Sequence, residues 1–84
     1  MASPALTREF VEQFVFTELV RLGAEESEVE TRAAFEDLGL DSLDMTELGT
    51  AVKRQLGVEV RPRDFEDVVV VQDALDVIHG RAGL

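Results

Sequence analysis

The feature that most constrains the fold is helical periodicity. Three segments repeat apolar residues at spacings of three and four, which places those side chains on one face of an α-helix. Glycine, the residue that most readily adopts the left-handed conformation found just after helices, stands where each pattern stops. The predicted helices cover residues 7–22, 41–56 and 71–79, and the glycines that end them are Gly23, Gly57 and Gly80.

The first helix has two candidate starts. Ser3-Pro4 suits an N-cap followed by proline at the first helical position, and Thr7 also suits an N-cap. Glu18 falls inside the apolar arc of this helix, and we expect it to be partly exposed near the helix end. Phe16 and Val20 fall on the opposite side.

A run of β-branched residues, Val68–Val71, is locally typical of a strand. The sequence offers no convincing second strand, and an unpaired strand would leave its backbone groups without partners. We therefore divide the run between a short helix, opened by Pro62 and covering Phe65 to Asp67, and the last helix.

Residues 23–40 are predicted to form a long ordered loop, in which Glu25–Glu30 is a candidate for a short helical turn. The expected fold is all-α. It is a small four-helix bundle with three main helices, one short third helix, and the long loop between helices one and two.

The composition limits the function classes. Eighty-four residues make one small domain, residues 1–84, without room for the deep cleft of a typical enzyme. Eighteen acids against eight bases give a net charge of -10, which opposes binding to nucleic acid or to an anionic membrane. The chain has no cysteine, so it has no disulfide framework and no thiolate metal site.

The N-terminus lacks the basic and apolar regions of a signal peptide. No apolar run approaches the ~20 residues that span a bilayer. A cytoplasmic location is therefore expected, and the initial Met1 favours a free-standing protein.

The segment Asp37–Leu48 is the most informative part of the chain. A turn at Gly39 leads into the second helix, and Ser42 stands where that helix begins. Five acids and no base surround this serine: Glu36, Asp37, Asp41, Asp44 and Glu47.

A serine nucleophile needs a neighbouring base, and the single histidine, His79, lies near the C-terminus. There it is expected to cap the last helical turn. The chain has no Gly-x-Ser-x-Gly motif, and the acids lack the spacing of an EF-hand loop. Neither a catalytic site nor a dedicated metal site is expected.

An exposed serine without a base is a poor nucleophile, but another enzyme that supplies the base can modify it. The alternative is that Ser42 is only a helix cap. Leu43 points away from the core face of the second helix, which indicates either a contact surface or a single exposed leucine.

The sequence Asp37-Leu38-Gly39-Leu40-Asp41-Ser42-Leu43-Asp44 resembles the prosthetic-group attachment motif of acyl carrier proteins, whose core is Asp-Ser-Leu. The resemblance extends over roughly residues 5–80. It includes the preceding helix and loop, Glu47-Leu48, the Gly57–Val60 link and the segment Val71–Ile78.

The resemblance implies a four-helix bundle in which a phosphopantetheinyl transferase moves 4'-phosphopantetheine from coenzyme A onto Ser42. The thiol of the arm then carries acyl groups as thioesters. The implied partners are acyl-loading and condensing enzymes, such as an acyltransferase, an acyl-ligase or a ketosynthase. The implied protein is a monomer and not an enzyme. The partner-binding face maps onto Asp41, Leu43, Asp44, Thr46, Glu47 and Thr50.

Basic residues depart from the pattern common in carriers of fatty acid synthesis. They are Lys53, Arg54, Arg61 and Arg63. We therefore favour polyketide or hybrid peptide–polyketide biosynthesis over fatty acid biosynthesis. Two alternatives stay open: an aminoacyl or peptidyl carrier of nonribosomal peptide synthesis, and an unmodified helical protein-interaction domain. Peptidyl carriers more often have Gly-Gly before the serine motif, where this chain has Gly39-Leu40.

Overall fold

A computed structural model of the chain describes residues 6–84. The described part is helical, without a named strand, which confirms the all-α prediction. The predicted start at Ser3-Pro4 lies outside the described residues. The α-helices are α1 (Arg8–Arg21), α2 (Ser42–Ala51) and α3 (Val71–Ala82), and two 3-10 turns are Glu26–Glu28 and Pro62–Phe65.

Helix α1 begins after Thr7, whose side chain accepts a hydrogen bond of 3.0 Å from the backbone N–H of Phe10. This confirms Thr7 as an N-cap. The helix ends before Gly23, whose φ of 123° lies in the range that favours glycine. Three residues of α1 are fully buried against α2 and α3, and they form the core stripe of α1: Val11, Val15 and Leu19.

Glu18 is buried, with 5% of its surface exposed, so the expectation of partial exposure is wrong. The Arg21 guanidinium donates two hydrogen bonds, of 2.9 and 2.7 Å, to Glu18 Oε2. The paired carboxylate can stay on the apolar side of the helix because a buried charge is tolerated when it is hydrogen-bonded. Hydrogen bonding to the Glu18 carboxylate raises the pKa of Arg21.

Helix α2 continues as one π-helical turn, Val52–Leu56, and stops at Gly57 with φ 71°. The predicted helix end is confirmed. Gly49 lies in the middle of α2 and faces the 3-10 turn that begins at Pro62. A Cβ atom built on Gly49 would lie 3.5 Å from the carbonyl oxygen of Val60.

The short third helix is a single 3-10 turn, Pro62–Phe65, and ends before the predicted Asp67. Asp64 holds this turn in place. Its carboxylate accepts the backbone N–H of Arg61 at 2.9 Å and two hydrogen bonds from Arg81 of α3, at 2.9 and 3.0 Å. Phe65 is buried beneath the turn.

Helix α3 begins at Val71 as predicted, and the Asp73 carboxylate accepts the N–H groups of Val69 and Val70 at 3.0 and 3.1 Å. The predicted end at Gly80 is wrong, because the helix continues to Ala82 and ends at Gly83, whose φ is 76°.

His79 does not cap the last turn with its side chain. The residue is 6% exposed, and neither ring nitrogen has a hydrogen-bond partner within residues 6–84. Its backbone carbonyl instead accepts the N–H of Leu84 at 2.8 Å.

The loop before α2 is tied to the segment before α3. Ala34 and Val70 form an isolated antiparallel bridge, and Phe35 donates its N–H to the carbonyl of Val69 at 3.0 Å. The β-branched run therefore makes one short extended contact before it enters α3. This contact holds the loop that leads to Ser42 against the core.

No helix within residues 6–84 combines the length and apolar character needed to cross a membrane.

Candidate prosthetic-group attachment site

The turn before α2 fixes where the helix begins. Leu38 and Leu40 are each 7% exposed and pack in the core on either side of Gly39. Gly39 has φ 75°, which an L-residue adopts only with strain, and its N–H bonds to the carbonyl of Glu36 at 3.0 Å. The N–H of Leu40 bonds to the carbonyl of Phe35 at 3.0 Å. The two buried leucines therefore set the direction from which the chain enters α2.

Asp41 is the N-cap of α2. Its carboxylate accepts the N–H groups of Leu43 and Asp44, both at 3.0 Å, and Asp44 accepts the N–H of Asp41 at 2.9 Å. These hydrogen bonds, first that of the Asp44 backbone N–H, lower the pKa of Asp41. The capping role belongs to Asp41, so the interpretation of Ser42 as only a helix cap is wrong.

Ser42 occupies the first helical position and is exposed. Only its backbone carbonyl takes part in the hydrogen bonds described for residues 6–84, as the acceptor for the Thr46 hydroxyl at 3.1 Å. An exposed hydroxyl that the fold does not use is accessible to a modifying enzyme. The position also suits a phosphodiester, since negative charge is favoured at the N-terminus of a helix.

The outer face of α2 carries the other predicted site residues. Leu43 is 74% exposed, and Thr46, Glu47 and Thr50 are exposed on the same side of the helix. We call these four residues the α2 face. Asp41 is exposed and Asp44 half-buried at the start of the helix. The structure thus brings the six predicted partner-binding residues to one end and one side of α2, and their role in binding stays a prediction.

A groove beside Ser42 was not predicted from the sequence. It has a volume of about 350 Å³ and is lined mainly by apolar side chains, with Asp41, Thr46 and Glu66 among its polar residues. It meets a smaller space of about 100 Å³ that reaches Gly49 and Lys53. The two share Met45, Thr46, Pro62 and Phe65. The sequence signal was Gly49, a residue without a side chain in the middle of α2. A Cβ atom there would meet only ordinary van der Waals contacts, so this signal alone does not locate the groove.

The four basic residues that depart from the family pattern are all exposed. Lys53 lines the far end of the groove. Arg54 lies beside Arg21, Glu47 and Thr50 around a surface depression. Arg61 approaches Glu59 at 3.9 Å. The α2 side of the molecule is therefore acidic at the Ser42 end and basic toward Gly57.

The helical fold and the exposed serine at a capped helix start define the class as a small helical carrier domain. A model of the family described as "Phosphopantetheine attachment site" matches residues 19–78. Two similar proteins are acyl carrier proteins. That of Nitratidesulfovibrio vulgaris (strain DP4) is 42% identical over 62 residues, covering 73% of this chain and 82% of the relative. That of Solidesulfovibrio magneticus is 42% identical over 64 residues, covering 75% and 82%.

The chain therefore belongs to the phosphopantetheine-binding family of acyl carrier proteins. This confirms the resemblance found in the sequence, and covalent 4'-phosphopantetheine is the cofactor of the chain. The residues present fit that group: an accessible hydroxyl, a helix N-terminus for its phosphate and an adjoining groove. Neither the aminoacyl-carrier alternative nor the unmodified interaction domain is favoured by the comparisons.

Proposed function

We propose that the chain is an acyl carrier protein in which Ser42 bears the 4'-phosphopantetheine arm. The assignment to this residue rests on one observation: the Ser42 hydroxyl is exposed and does not cap the helix, because the Asp41 carboxylate does so. Ser42 also lies within the segment that matches the attachment-site family. The arm supplies the thiol that this cysteine-free chain lacks.

The transferase must bring the base for this modification. The one histidine is buried in α3, and the carboxylates nearest Ser42 in sequence are Asp41 and Asp44, which hold each other's backbone N–H groups in the capping box. The Ser42 oxygen attacks the phosphorus atom of coenzyme A that bears the pantetheine, and its proton passes to a base of the transferase. The pyrophosphate P–O bond breaks as the new phosphodiester bond forms, and adenosine 3',5'-bisphosphate leaves. The chain positions the Ser42 hydroxyl for the reaction and supplies no catalytic group. We propose that it is not an enzyme.

We further propose that Leu43 is the apolar anchor of the partner-binding face. It is 74% exposed and is followed at helical spacing by Thr46, Glu47 and Thr50. The acids at the Ser42 end, Asp41 and Asp44 among them, favour partners with basic surfaces there and speed their association. These partners are the phosphopantetheinyl transferase, followed by enzymes that load or condense acyl groups, such as an acyltransferase, an acyl-ligase or a ketosynthase.

The same proposal covers the bundle architecture, the domain extent, the oligomeric state, the location and the pathway. The Pro62–Phe65 turn stands in the place of the short third helix of a four-helix bundle, with the long loop between the first two helices. We propose that residues 1–84 are one carrier domain that acts as a monomer in the cytoplasm. The basic residues at the Gly57 end favour polyketide or hybrid peptide–polyketide biosynthesis over fatty acid biosynthesis.

The experiment that tests this function is intact mass after incubation with a broad-specificity phosphopantetheinyl transferase and coenzyme A. Ser27, exposed in the Glu26–Glu28 turn, offers a matched control. The parent and Ser27→Ala should each gain one phosphopantetheine, and Ser42→Ala should gain none while keeping the same circular dichroism spectrum. A gain in Ser42→Ala equal to that of the parent would contradict the assignment.

A further inference from the structure

A second apolar stripe on α1 lies outside the core stripe and takes no part in the proposed attachment site. Of its two apolar residues, Phe16 packs partly against the core and Val20 is exposed. Phe16 and Val20 share one side of the helix with Gln13 and Thr17, because these positions are three and four residues apart. This side lies roughly opposite the core stripe of α1. In a chain in which 31% of the residues are charged, none of these four residues carries a charge.

This side of α1 forms one wall of an open groove of about 250 Å³, which we call the α1 groove. Its other wall is formed by Glu26 and Val29. Phe16 and Val29 are half-buried, and Val20 remains 37% exposed. A cavity of about 150 Å³ holds a benzene ring. The α1 groove therefore has room for one large apolar side chain from outside the molecule.

One acid, Glu26, lines the loop side of the α1 groove, and two more acids stand next to it in the sequence or one position further on. Glu25, Glu26 and Glu28 are all exposed. The three ion pairs found within residues 6–84 join other residues, so these carboxylates are free to meet external cations. An uncharged centre beside a charged rim is typical of protein–protein interfaces.

We propose that the α1 groove is a docking site for an amphipathic, basic segment of a partner protein. One large apolar side chain of that segment enters the groove beside Val20, and flanking lysine or arginine residues face the three glutamates. The charge of the rim selects this partner over an acidic one.

The α1 groove is separate from the proposed attachment site. No residue lines both this groove and either of the two spaces beside Ser42. A partner segment confined to the α1 groove would therefore leave the groove beside Ser42 uncovered. The docking proposal does not depend on which residue carries the prosthetic group.

The test uses synthetic helical peptides of about 18 residues, or about five turns. One contains leucine and lysine at amphipathic spacing, the second replaces lysine by glutamate, and the third replaces leucine by alanine. Backbone amide chemical shifts of the isotope-labelled protein are followed during titration. Val20→Lys is compared with Val69→Lys, which makes the same substitution at a valine that is 64% exposed and lies outside the groove.

The leucine–lysine peptide should shift the amides of residues 13–20 and 26–29, and the other two peptides should bind much more weakly. Val20→Lys should raise the Kd of the leucine–lysine peptide by at least about tenfold, because a charged side chain would then lie where the apolar side chain of the peptide binds. Val69→Lys, which changes the net charge equally, should leave the Kd within about twofold. Equal weakening by both variants, shifts centred on the α2 face, or no binding would each overturn the proposal. Phosphopantetheine loading, measured by mass on the same samples, reports separately on the proposed function.

Discussion

Replacing Gly49 by alanine should stabilise the protein. Gly49 is buried in the middle of α2, where glycine costs roughly 1 kcal/mol relative to alanine. The added Cβ would lie 3.5 Å from the Val60 carbonyl oxygen and 3.6 Å from Phe65 Cε2, both ordinary van der Waals distances. No neighbouring atom has to move, so the free energy of unfolding should rise by about 0.5–1 kcal/mol.

Gly57 provides the matched control, since it ends the same helical segment. Its φ of 71° is left-handed, and nothing lies within 4 Å of a Cβ built there. The cost of Gly57→Ala is therefore one of backbone conformation alone, about 1–2 kcal/mol. The same chemical change should thus have opposite effects at the two positions.

The assay is urea unfolding followed by far-UV circular dichroism, together with thermal unfolding. For a domain of this size, about 1 kcal/mol shifts Tm by roughly 4–8 °C. Gly49→Ala should raise both the urea midpoint and Tm with an unchanged m-value, and Gly57→Ala should lower them. Destabilisation by Gly49→Ala would refute the reasoning, because it would mean that the contact between α2 and the Pro62–Phe65 turn is too tight for a methyl group.

Two further predictions concern charge. Glu47→Lys should slow association with the transferase at low salt, and the effect should shrink as salt is added; an unchanged on-rate would remove Glu47 from the docking face. Asp41, Asp64 and Asp73 each accept backbone hydrogen bonds that hold the pKa below the ordinary value of 3.8. A lowered folded-state pKa stabilises the fold above about pH 4, and this contribution is lost as the pH falls through the folded-state values. The free energy of unfolding of the parent protein, measured between about pH 5 and pH 2, should fall as the pH falls, and that of Asp73→Asn should fall less. Equal decreases in the two proteins would exclude Asp73 as a source of this pH dependence.

Local sequence signals were sufficient for the main helices. The Thr7 cap, the glycine at position 57 and the spacing of apolar residues located α1 and α2, because caps, left-handed glycines and periodicity act within a few residues. The off-core position of Leu43 also followed from helical phase, and its exposure is confirmed. The attachment motif itself lies within the matched family segment.

The incorrect predictions for α3 concern features that depend on contacts between residues distant in sequence. Gly80 and Gly83 are both candidates to end α3, and the sequence does not show which takes the left-handed conformation. The pair between Arg81 and Asp64, residues 17 positions apart, joins the last turn to the 3-10 turn and accompanies the longer helix. The burial of His79 likewise depends on how α3 packs, not on its neighbours in sequence.

Glu18 illustrates a local signal that was available but insufficient. Arg21 follows it by three residues, a spacing at which side chains meet on a helix. That spacing allows an ion pair but does not predict that the carboxylate will be buried. The groove beside Ser42 also could not be predicted from a local signal. It forms where residues 62–68 lie against α2, and the spacing of apolar residues does not predict that contact.

The measurement that tests the central claim most directly is fragment-resolved mass spectrometry of the loaded parent protein. The chain has three serines, Ser3, Ser27 and Ser42, and fragments that separate them assign the added mass to one residue. The account predicts that all of the phosphopantetheine mass lies on the fragment that contains Ser42. Added mass on either of the other serines, in protein that has kept its helical spectrum, would contradict it.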